Sequence, residues 1–262
     1  MEPSFHLGSK PRLTAHKFKV DLAFGEEDNN NTVYDAVAKP LIDLALRVRN
    51  AICLFLEIII KIIKGGVSSI LAYGQTGSGK TFTISGLLDR LAIDLMQQKG
   101  EAIKLHISFM ELLGNTAKDL LNPASKVDIL EDKFGGVNLA GLQEVEVEDP
   151  EKFLSLCQEA SQQRHTSTTL KNDSSSRSHA VYRVRVENTE FRTAEDGQLL
   201  IVDLAGAENA ADSQFHDKER IKETQAINSS LMTLKECIKN RARAAQDPST
   251  YVHIPYRSSY PL

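Results

Sequence analysis

The stretch Gly74-Gln75-Thr76-Gly77-Ser78-Gly79-Lys80-Thr81 decides the fold. It matches the pattern G-x-x-x-x-G-K-[ST], follows the apolar segment SSILAY and precedes a segment with helical periodicity. In that setting the glycines let successive backbone N–H groups point at phosphate oxygens, and the helix N-terminus adds its positive dipole. Lys80 is placed to neutralise the β- and γ-phosphates, and Thr81 to offer its hydroxyl to Mg²⁺. The sequence therefore predicts a phosphate-binding loop.

Outward from this loop, segments with strand character alternate with helical segments, which is typical of a sheet covered by helices. We therefore predict an α/β fold. The predicted strands are Ser68 to Tyr73, Leu105 to Phe109, Ala180 to Val186 and Leu199 to Val202. The predicted helices are Thr32 to Arg49, Thr81 to Gln98, Pro150 to Gln163 and Lys222 to Arg243.

The last predicted helix has an apolar face. Its members recur at helical spacing, so this face should pack on the sheet; they are Ile227, Leu231, Leu234 and Ile238. Two dipeptides, Gly135-Gly136 and Asp196-Gly197, are turn signals. The second lies between two predicted strands, as the connection of a hairpin would.

Composition sets the class of protein. The 262 residues are 41% hydrophobic and 25% charged, as in one globular domain. The net charge of -4 argues against binding nucleic acid through a globally basic surface. Three cysteines without a CxxC pair suggest neither a disulfide framework nor a zinc site, and no secretory signal is evident, so we expect a cytoplasmic protein. The apolar run Ala51 to Ile63 contains charges and is shorter than the about 20 residues of a membrane span.

Two further strings can carry chemistry. Asp203-Leu204-Ala205-Gly206-Ala207-Glu208 follows the apolar strand LLIV, which is where P-loop enzymes place the acidic residue behind the metal-bound water. Asn172-Asp173-Ser174-Ser175-Ser176-Arg177-Ser178-His179 is polar and runs into the strand AVYRVRV, and its hydroxyls suit a loop that senses the γ-phosphate and Mg²⁺. Taken singly, the first string could be a plain turn and the second a flexible linker.

GQTGSGKT, NDSSSRSH and DLAGAE, in this order, resemble the P-loop, switch I and switch II of the kinesin motor domain. The strings INSSLMTLKECI and HIPYRSS are also similar to that family, and SFMELLGNTAKDLLN resembles the kinesin-13 branch, whose members depolymerise microtubule ends. The resemblance covers roughly residues 18–257. It implies a P-loop NTPase with a central, mostly parallel sheet and helices on both faces. It also implies ATP and Mg²⁺ as cofactors, microtubule-stimulated ATPase activity and an association with the cytoskeleton.

The resemblance assigns roles to individual residues. Lys80 becomes the phosphate lysine, and Phe82 lies where the family places a residue beside the adenine. Ser175 would lie near the attacking water and Gly206 would contact the γ-phosphate through its N–H. The metal-side groups are Thr81, Ser176 and, through a water, Asp203. Arg177 and Glu208 would form a gate between the two switches, since a guanidinium and a carboxylate can close bidentately.

A basic face is predicted on the last helix. Lys235, Lys239 and Arg243 lie four residues apart, with His253 and Arg257 following in sequence. A microtubule is acidic, so these cations suit the contact with it that the resemblance implies. A solvated helix face is the alternative interpretation.

The sequence also departs from the family pattern. The opening strand with its R-x-R-P string is not found, the chain ends soon after HIPYRSS, and Ala207 replaces the usual serine. Residues 49–64 look like an insertion before the P-loop strand. We interpret 1–262 as a single incomplete motor domain, from a truncated or misassembled gene product or a degenerate kinesin.

Three functions remain open at this point. The first is a kinesin-type ATPase that couples two switch loops to microtubule binding. The second is a module that binds nucleotide or microtubules without hydrolysis. The third, an unrelated P-loop NTPase, would have converged on these strings. No heptad run argues for a coiled-coil dimer, so the oligomeric state stays open.

Overall fold

The structure is a computed structural model that describes residues 3–4, 12–13, 19–46, 67–114, 116–123, 125–131, 133, 137–166, 176–190, 196–207, 218–247 and 249–256. The segment 49–64, which includes the apolar run, and the predicted Gly135-Gly136 turn lie outside these residues. Within them, no helix has the length and apolar character needed to cross a membrane.

The four predicted strands are all present. The first is shifted by one residue, and the other three are longer than predicted, most of all the strand predicted at 105–109, which spans Ile103–Leu113. The strands are β1 (Pro3–Ser4), β2 (Arg12–Leu13), β3 (Val67–Ala72), β4 (Ile103–Leu113), β5 (Thr116–Asp119), β6 (Lys126–Glu131), β7 (Val137–Ala140), β8 (Val145–Val147), β9 (His179–Asn188) and β10 (Gly197–Asp203).

The predicted helices are also present. The first is broken into an α-helical turn, a π-helical segment and a second α-helix, and its predicted end at Arg49 lies outside the described residues. The helical elements are α1 (Asn30–Val33), the π-helix (Tyr34–Ala38), α2 (Lys39–Leu46), α3 (Lys80–Gln98), α4 (Pro150–Thr166) and α5 (Lys218–Gln246).

An eight-stranded sheet has the strand order β3-β10-β9-β4-β5-β6-β7, with β8 paired to β4. Among the described strands of this sheet, β3 and β10 run parallel, and the other pairings are antiparallel. The expectation of a mostly parallel sheet is therefore wrong, although the α/β class and the P-loop strand are correct. The physical reason is the connections: β4 to β7 follow one another through short links, which can join only antiparallel strands. The predicted hairpin at Asp196-Gly197 likewise joins antiparallel β9 and β10.

Helices cover both faces of the sheet, as predicted. Side chains alternate along each strand, so Phe109 and Tyr182 lie on one face and Met110 and Val181 on the other. On the first face, α3 and α4 complete the larger core, where the Phe109 and Tyr182 rings meet edge to face at 5.4 Å. On the second face, a smaller core includes Leu231 of α5.

The predicted apolar face of α5 is only partly correct. Leu231 is buried, and Ile227 and Leu234 pack partly buried against the second core. Ile238, by contrast, is 49% exposed, so the prediction for this residue is wrong. The contact with the second core is made by the turns that carry Ile227, Leu231 and Leu234, and the turn that carries Ile238 is exposed, so an apolar residue there gains little burial.

The P-loop helix α3 is held from outside by the first helical elements. The Tyr34 side chain is fully buried, and its hydroxyl donates to Asp94 Oδ2 at 2.8 Å. The Arg90 guanidinium lies 5.7 Å from the centre of the Tyr34 ring, within range of a cation–π contact. These contacts fix α3 and therefore the direction in which its N-terminus points.

Candidate nucleotide-binding site

The phosphate-binding loop joins β3 to α3, as predicted from the sequence. Gly77 and Gly79 have φ values of 77° and 86°, a left-handed backbone conformation that residues with a Cβ rarely adopt. A Cβ at Gly74 would lie 2.6 Å from the Ser78 hydroxyl, so a larger residue at this position would require the Ser78 side chain to move. The loop therefore ends with Gly79 at the N-cap of α3, whose free N–H groups point towards the loop.

Lys80 folds back over the loop that precedes it. Its ammonium donates to the carbonyl oxygens of Gly74 at 3.1 Å and Gln75 at 2.9 Å. The charge is thus held against the backbone that would surround a phosphate. Phosphate oxygens at this place would meet a cation, a helix N-terminus and backbone donors together.

Thr81 and Asp203 meet beside the loop. The Thr81 hydroxyl donates to Asp203 Oδ2 at 2.7 Å, and Asp203 ends β10 opposite Ala72, the last residue of β3. Asp203 is 1% exposed, and its Oδ1 is buried without a hydrogen-bond partner among the described residues. A buried carboxylate oxygen normally has a partner, so this atom is suited to a metal-bound water.

The donor set fits magnesium. Mg²⁺ prefers oxygen ligands and keeps several waters, so it is usually held by one or two carboxylates and phosphate rather than by a protein cage. Consistent with this, the described ranges contain no cluster of three or more His, Cys, Asp or Glu that could hold a metal by themselves.

Arg164 is a site residue that the sequence analysis missed. Its Nη1 donates to Asp203 Oδ2 at 2.6 Å, and the two side chains are 3% and 1% exposed. Its Nη2 donates to the carbonyl of Ser178 at 2.7 Å, and its Nε contacts the Ser178 hydroxyl at 3.3 Å. The predicted helix ended at Gln163, one residue before Arg164, and no string around Arg164 marks it. The sequence offered one weak indication of its role: Arg164 lies near the end of a helix, shortly before the polar string that begins at Asn172.

The two predicted switch segments contact each other and the P-loop. The Gly206 N–H, expected to reach a γ-phosphate, donates here to the carbonyl of Ser176 at 2.8 Å. The Ala207 N–H donates to the carbonyl of Gly74 at 3.0 Å. Ser176 and Arg177 are half-buried in the described part of the chain, whereas Ser175 and Glu208 lie outside it. The Arg177–Glu208 gate therefore stays a prediction.

His179 connects the second switch segment to α5. Its Nδ1 accepts the Ala205 N–H at 3.0 Å, and its Nε2 lies 3.1 Å from the Ser230 hydroxyl, which donates to the carbonyl of Ile227 at 2.7 Å. The pKa of His179 is lowered from 6.5 to about 4, mainly by burial and also by the nearby Arg164 charge, which the charge of Asp203 opposes. The ring is therefore neutral near pH 7. His179 belongs to the polar string that precedes β9, but no separate role was predicted for it from the sequence.

The other predicted site residues that the structure describes outside the loop and the switch segments are exposed at the surface. Phe82, in the first turn of α3, is 73% exposed. Lys235, Lys239 and Arg243 are exposed on α5. His253 is also exposed, and its carbonyl accepts a hydrogen bond from the Asn240 amide at 3.0 Å, which ties its segment to α5. Arg257 lies outside the described residues.

Comparison with known proteins supports the family resemblance. A family model described as "Kinesin motor domain" matches residues 6–260. "Diatom spindle kinesin-1" of Cylindrotheca fusiformis is 36% identical over 250 residues, which are 94% of this chain and 36% of that protein. "Kinesin-like protein KIN-13B" of Arabidopsis thaliana is 34% identical over 254 residues, 93% of this chain and 34% of that protein. The chain thus spans about a third of the length of these curated relatives.

Solved structures agree with this match. A structure described as that of a fast kinesin has a TM-score of 0.73 and 26% identity, and the match covers 93% of this chain and 67% of that chain. A KIF14 dimer with AMP-PNP in complex with a microtubule has a TM-score of 0.66 and 29% identity, covering 88% of this chain and 65% of that chain. The described fold is therefore that of a kinesin motor domain, a family of nucleotide-binding proteins.

Proposed function

The chain belongs to the kinesin motor domain family, and we propose that it binds MgATP, hydrolyses the γ-phosphate bond and couples hydrolysis to microtubule binding. The observation that carries this proposal is the contact of Thr81 with Asp203 beside the P-loop lysine. It brings together a hydroxyl group, a buried carboxylate whose Oδ1 has no partner within the described part of the chain, and a phosphate-binding loop. These are the parts that P-loop enzymes use for phosphoryl transfer.

The P-loop holds the phosphates in this proposal. Its backbone donors surround the phosphate oxygens, Lys80 exchanges its carbonyl partners for them, and Phe82 offers an exposed ring on which the base can stack. The binding segment consists of Gly74, Gln75, Thr76, Gly77, Ser78, Gly79, Lys80, Thr81 and Phe82.

Magnesium would be held by the hydroxyls of Thr81 and Ser176 and, through a water, by Asp203. When bound, it neutralises charge on the β- and γ-phosphates. The residues of the chain contribute to catalysis by positioning the reacting groups. Ser175 would lie near the attacking water and Gly206 near the γ-phosphate, and the Arg177–Glu208 pair would form the gate between the switches. For Gly206 to bind a γ-phosphate, its N–H must leave the Ser176 carbonyl, so this phosphate contact and the contact between the switches exclude each other.

The microtubule is the proposed partner, which would place the protein on the cytoskeleton. The surface of the microtubule is acidic. Lys235, Lys239 and Arg243 are exposed on α5 and give this helix a positively charged face that complements it. His253 is held beside α5 by Asn240, and Arg257 follows in sequence. Replacing Lys235, Lys239 and Arg243 by glutamate should weaken co-sedimentation with microtubules and reduce its dependence on salt.

ATP turnover tests the proposal directly. The purified chain should hydrolyse ATP faster with microtubules than without, and Lys80→Ala should abolish the stimulated rate. Lys118→Ala, which removes an exposed lysine of β5, is the matched control and should leave turnover unchanged. Binding of nucleotide or microtubules without turnover would favour the alternative function, a module that binds without hydrolysis. None of the observations above favours that alternative. A chain that bound neither ligand would refute both functions.

A further inference from the structure

A continuous path of hydrogen bonds runs from the second switch segment to the first buried turns of α5. It begins at the Ala205 N–H, passes through both ring nitrogens of His179, reaches the Ser230 hydroxyl and ends at the carbonyl of Ile227. Ala205, His179 and Ser230 are 0%, 5% and 8% exposed, so water does not compete for these bonds. We call this path the His179 link.

Only one arrangement of protons satisfies the His179 link. The Ala205 N–H can only donate, so Nδ1 must accept and carries no proton. The single proton of the Ser230 hydroxyl is used on the Ile227 carbonyl, so its oxygen must accept from Nε2. The ring is therefore the neutral tautomer with its proton on Nε2. Every donor has one acceptor, and a shift of Ala205 must break the path or move the ring with it.

The two ends of the link belong to different functional parts. Ala205 precedes Gly206, whose N–H contacts Ser176, and Ala207 contacts Gly74 of the P-loop. Ser230 lies on the helix that carries Lys235 and Lys239. The ring itself begins β9, directly after Ser178, which Arg164 binds. His179 thus lies between the second switch segment, which it contacts through Ala205, and the helix that carries the basic face.

We propose that His179 is a positioning residue that transmits the nucleotide state of the switch segments to helix α5 through its two ring nitrogens. The proposal rests on the nucleotide site described above and adds the specific side chain through which the signal passes. When Gly206 leaves Ser176 for a phosphate, Ala205 moves with it because the two are adjacent. The His179 ring moves with Ala205 because Nδ1 is bonded to the Ala205 N–H. Ser230 and its turn of α5 then move with the ring because Nε2 is bonded to the Ser230 hydroxyl.

Hydrogen exchange can follow this transmission without microtubules. Exchange of peptides covering 74–81 and 224–240 is measured with Mg²⁺ and either ADP or AMP-PNP. The wild-type chain should show different exchange in both peptides between the two nucleotides. Ser230→Ala should keep the difference in the P-loop peptide and reduce that in the α5 peptide by about two- to tenfold, the range that one hydrogen bond supplies.

The variants separate transmission from packing. Thr233→Ala is the matched control, because the Thr233 hydroxyl donates to Ser229 within α5 and has no part in the link. It should retain the wild-type response. His179→Asn keeps an acceptor near the Nδ1 position for Ala205 but cannot reach Ser230, so it should reproduce Ser230→Ala. The double variant should be no worse than either single variant, because both remove the same bond.

A purely structural role gives a different result. If the link only stabilised the core, Ser230→Ala would lower the melting temperature and leave the nucleotide response of α5 intact, which would overturn the proposal. A wild-type chain that binds both nucleotides with no response in α5 would overturn it as well. Failure to bind either nucleotide in a separate titration would refute the proposed function, and the transmission with it.

The ratio of microtubule dissociation constants in ADP and AMP-PNP gives a second readout. Because the proposed basic face lies on α5, we expect a nucleotide that changes α5 also to change the affinity of this face for the microtubule. In Ser230→Ala this ratio should move towards one by a factor of about two to ten, as for hydrogen exchange. In Thr233→Ala the ratio should stay at the wild-type value. An unchanged ratio in Ser230→Ala would contradict the role of His179.

Discussion

Arg164 and Asp203 form a buried ion pair, with the guanidinium Nη1 2.6 Å from the carboxylate Oδ2. The same oxygen accepts the Thr81 hydroxyl, while Oδ1 has no partner among the described residues. Two elements far apart in sequence, the end of α4 and the end of β10, are thereby joined next to the P-loop. The carboxylate is held by one cation on one oxygen and keeps the other oxygen for a further ligand.

Removing the arginine should destabilise the fold strongly. Arg164→Ala leaves the Asp203 charge buried without its cation, which typically costs about 3–5 kcal/mol in the free energy of unfolding. The free energy of unfolding of Arg164→Lys should lie between those of the wild type and Arg164→Ala, because an ammonium keeps the charge but cannot make the same set of contacts with Asp203 and Ser178. Urea unfolding of the three proteins measures this. The control is Arg183→Ala, whose partly exposed pair with Glu144 should contribute about 1 kcal/mol or less. Equal losses at Arg164 and Arg183 would contradict the importance of burial.

The Thr81 hydroxyl should make nucleotide binding depend on magnesium. Thr81→Val preserves shape but removes the hydroxyl, so we expect about a tenfold or greater loss of affinity for ADP in Mg²⁺ and little further loss in EDTA. Thr81→Ser retains the hydroxyl and should stay within about threefold of wild type in both conditions. Titration with a fluorescent ADP measures both affinities. If Thr81→Val still lost affinity on addition of EDTA as the wild type does, Thr81 would not be a magnesium ligand.

Asp119 should stabilise the turn after β5. Its side chain is 1% exposed, and it accepts the N–H groups of Leu121 and Asn122 on Oδ1 and that of Gln143 on Oδ2. Asp119→Ala leaves three donors without this acceptor and should cost about 3 kcal/mol. Asp119→Asn keeps one acceptor and should cost less.

The control for Asp119 is Asp149→Ala. Asp149 accepts the Lys152 N–H at 2.6 Å at the exposed start of α4, as a helix-capping residue does. Its loss should cost about 1 kcal/mol. Thermal or urea unfolding distinguishes the two changes, and an Asp119→Ala protein as stable as Asp149→Ala would show that the buried turn does not need its carboxylate.

The sequence was sufficient wherever the signal was local. The P-loop string, the strand before it and the helix after it occur in one continuous stretch, so glycine positions and periodicity predicted the loop correctly. Asp203 was found for the same reason, because it directly ends an apolar strand. The antiparallel pairing of the sheet was not predicted, since which strands become neighbours depends on contacts between distant segments.

Arg164 and His179 were missed for a related reason. Arg164 meets Asp203 across 39 positions of sequence, and His179 meets Ser230 across 51. An arginine at a helix end and a histidine at a strand start are ordinary residues until the fold buries them. Ile238 shows the reverse error. Its spacing placed it on the apolar face of α5, but its side chain is 49% exposed, because helical spacing alone does not show where the surface that covers a helix ends.

The buried histidine should make stability depend on pH. Burial lowers the pKa of His179 from its ordinary 6.5 to about 4. Between these values the unfolded chain binds a proton that the folded chain does not, so protonation favours unfolding. The free energy of unfolding should therefore fall as the pH drops from about 6.5 towards 4, by on the order of 1 kcal/mol per pH unit from this group. Above pH 6.5 the contribution of His179 is constant.

His179→Asn should isolate this effect. The variant lacks the titrating ring, so the difference in free energy of unfolding between wild type and variant should shrink as the pH falls from 6.5 to 4.5. Other acidic groups, such as Glu144, titrate in both proteins and cancel in that difference. His253→Asn removes an exposed histidine and should leave the wild-type slope unchanged. Urea unfolding at several pH values measures all three proteins, and a constant difference between wild type and His179→Asn would mean that His179 is protonated in the folded protein as readily as in the unfolded chain.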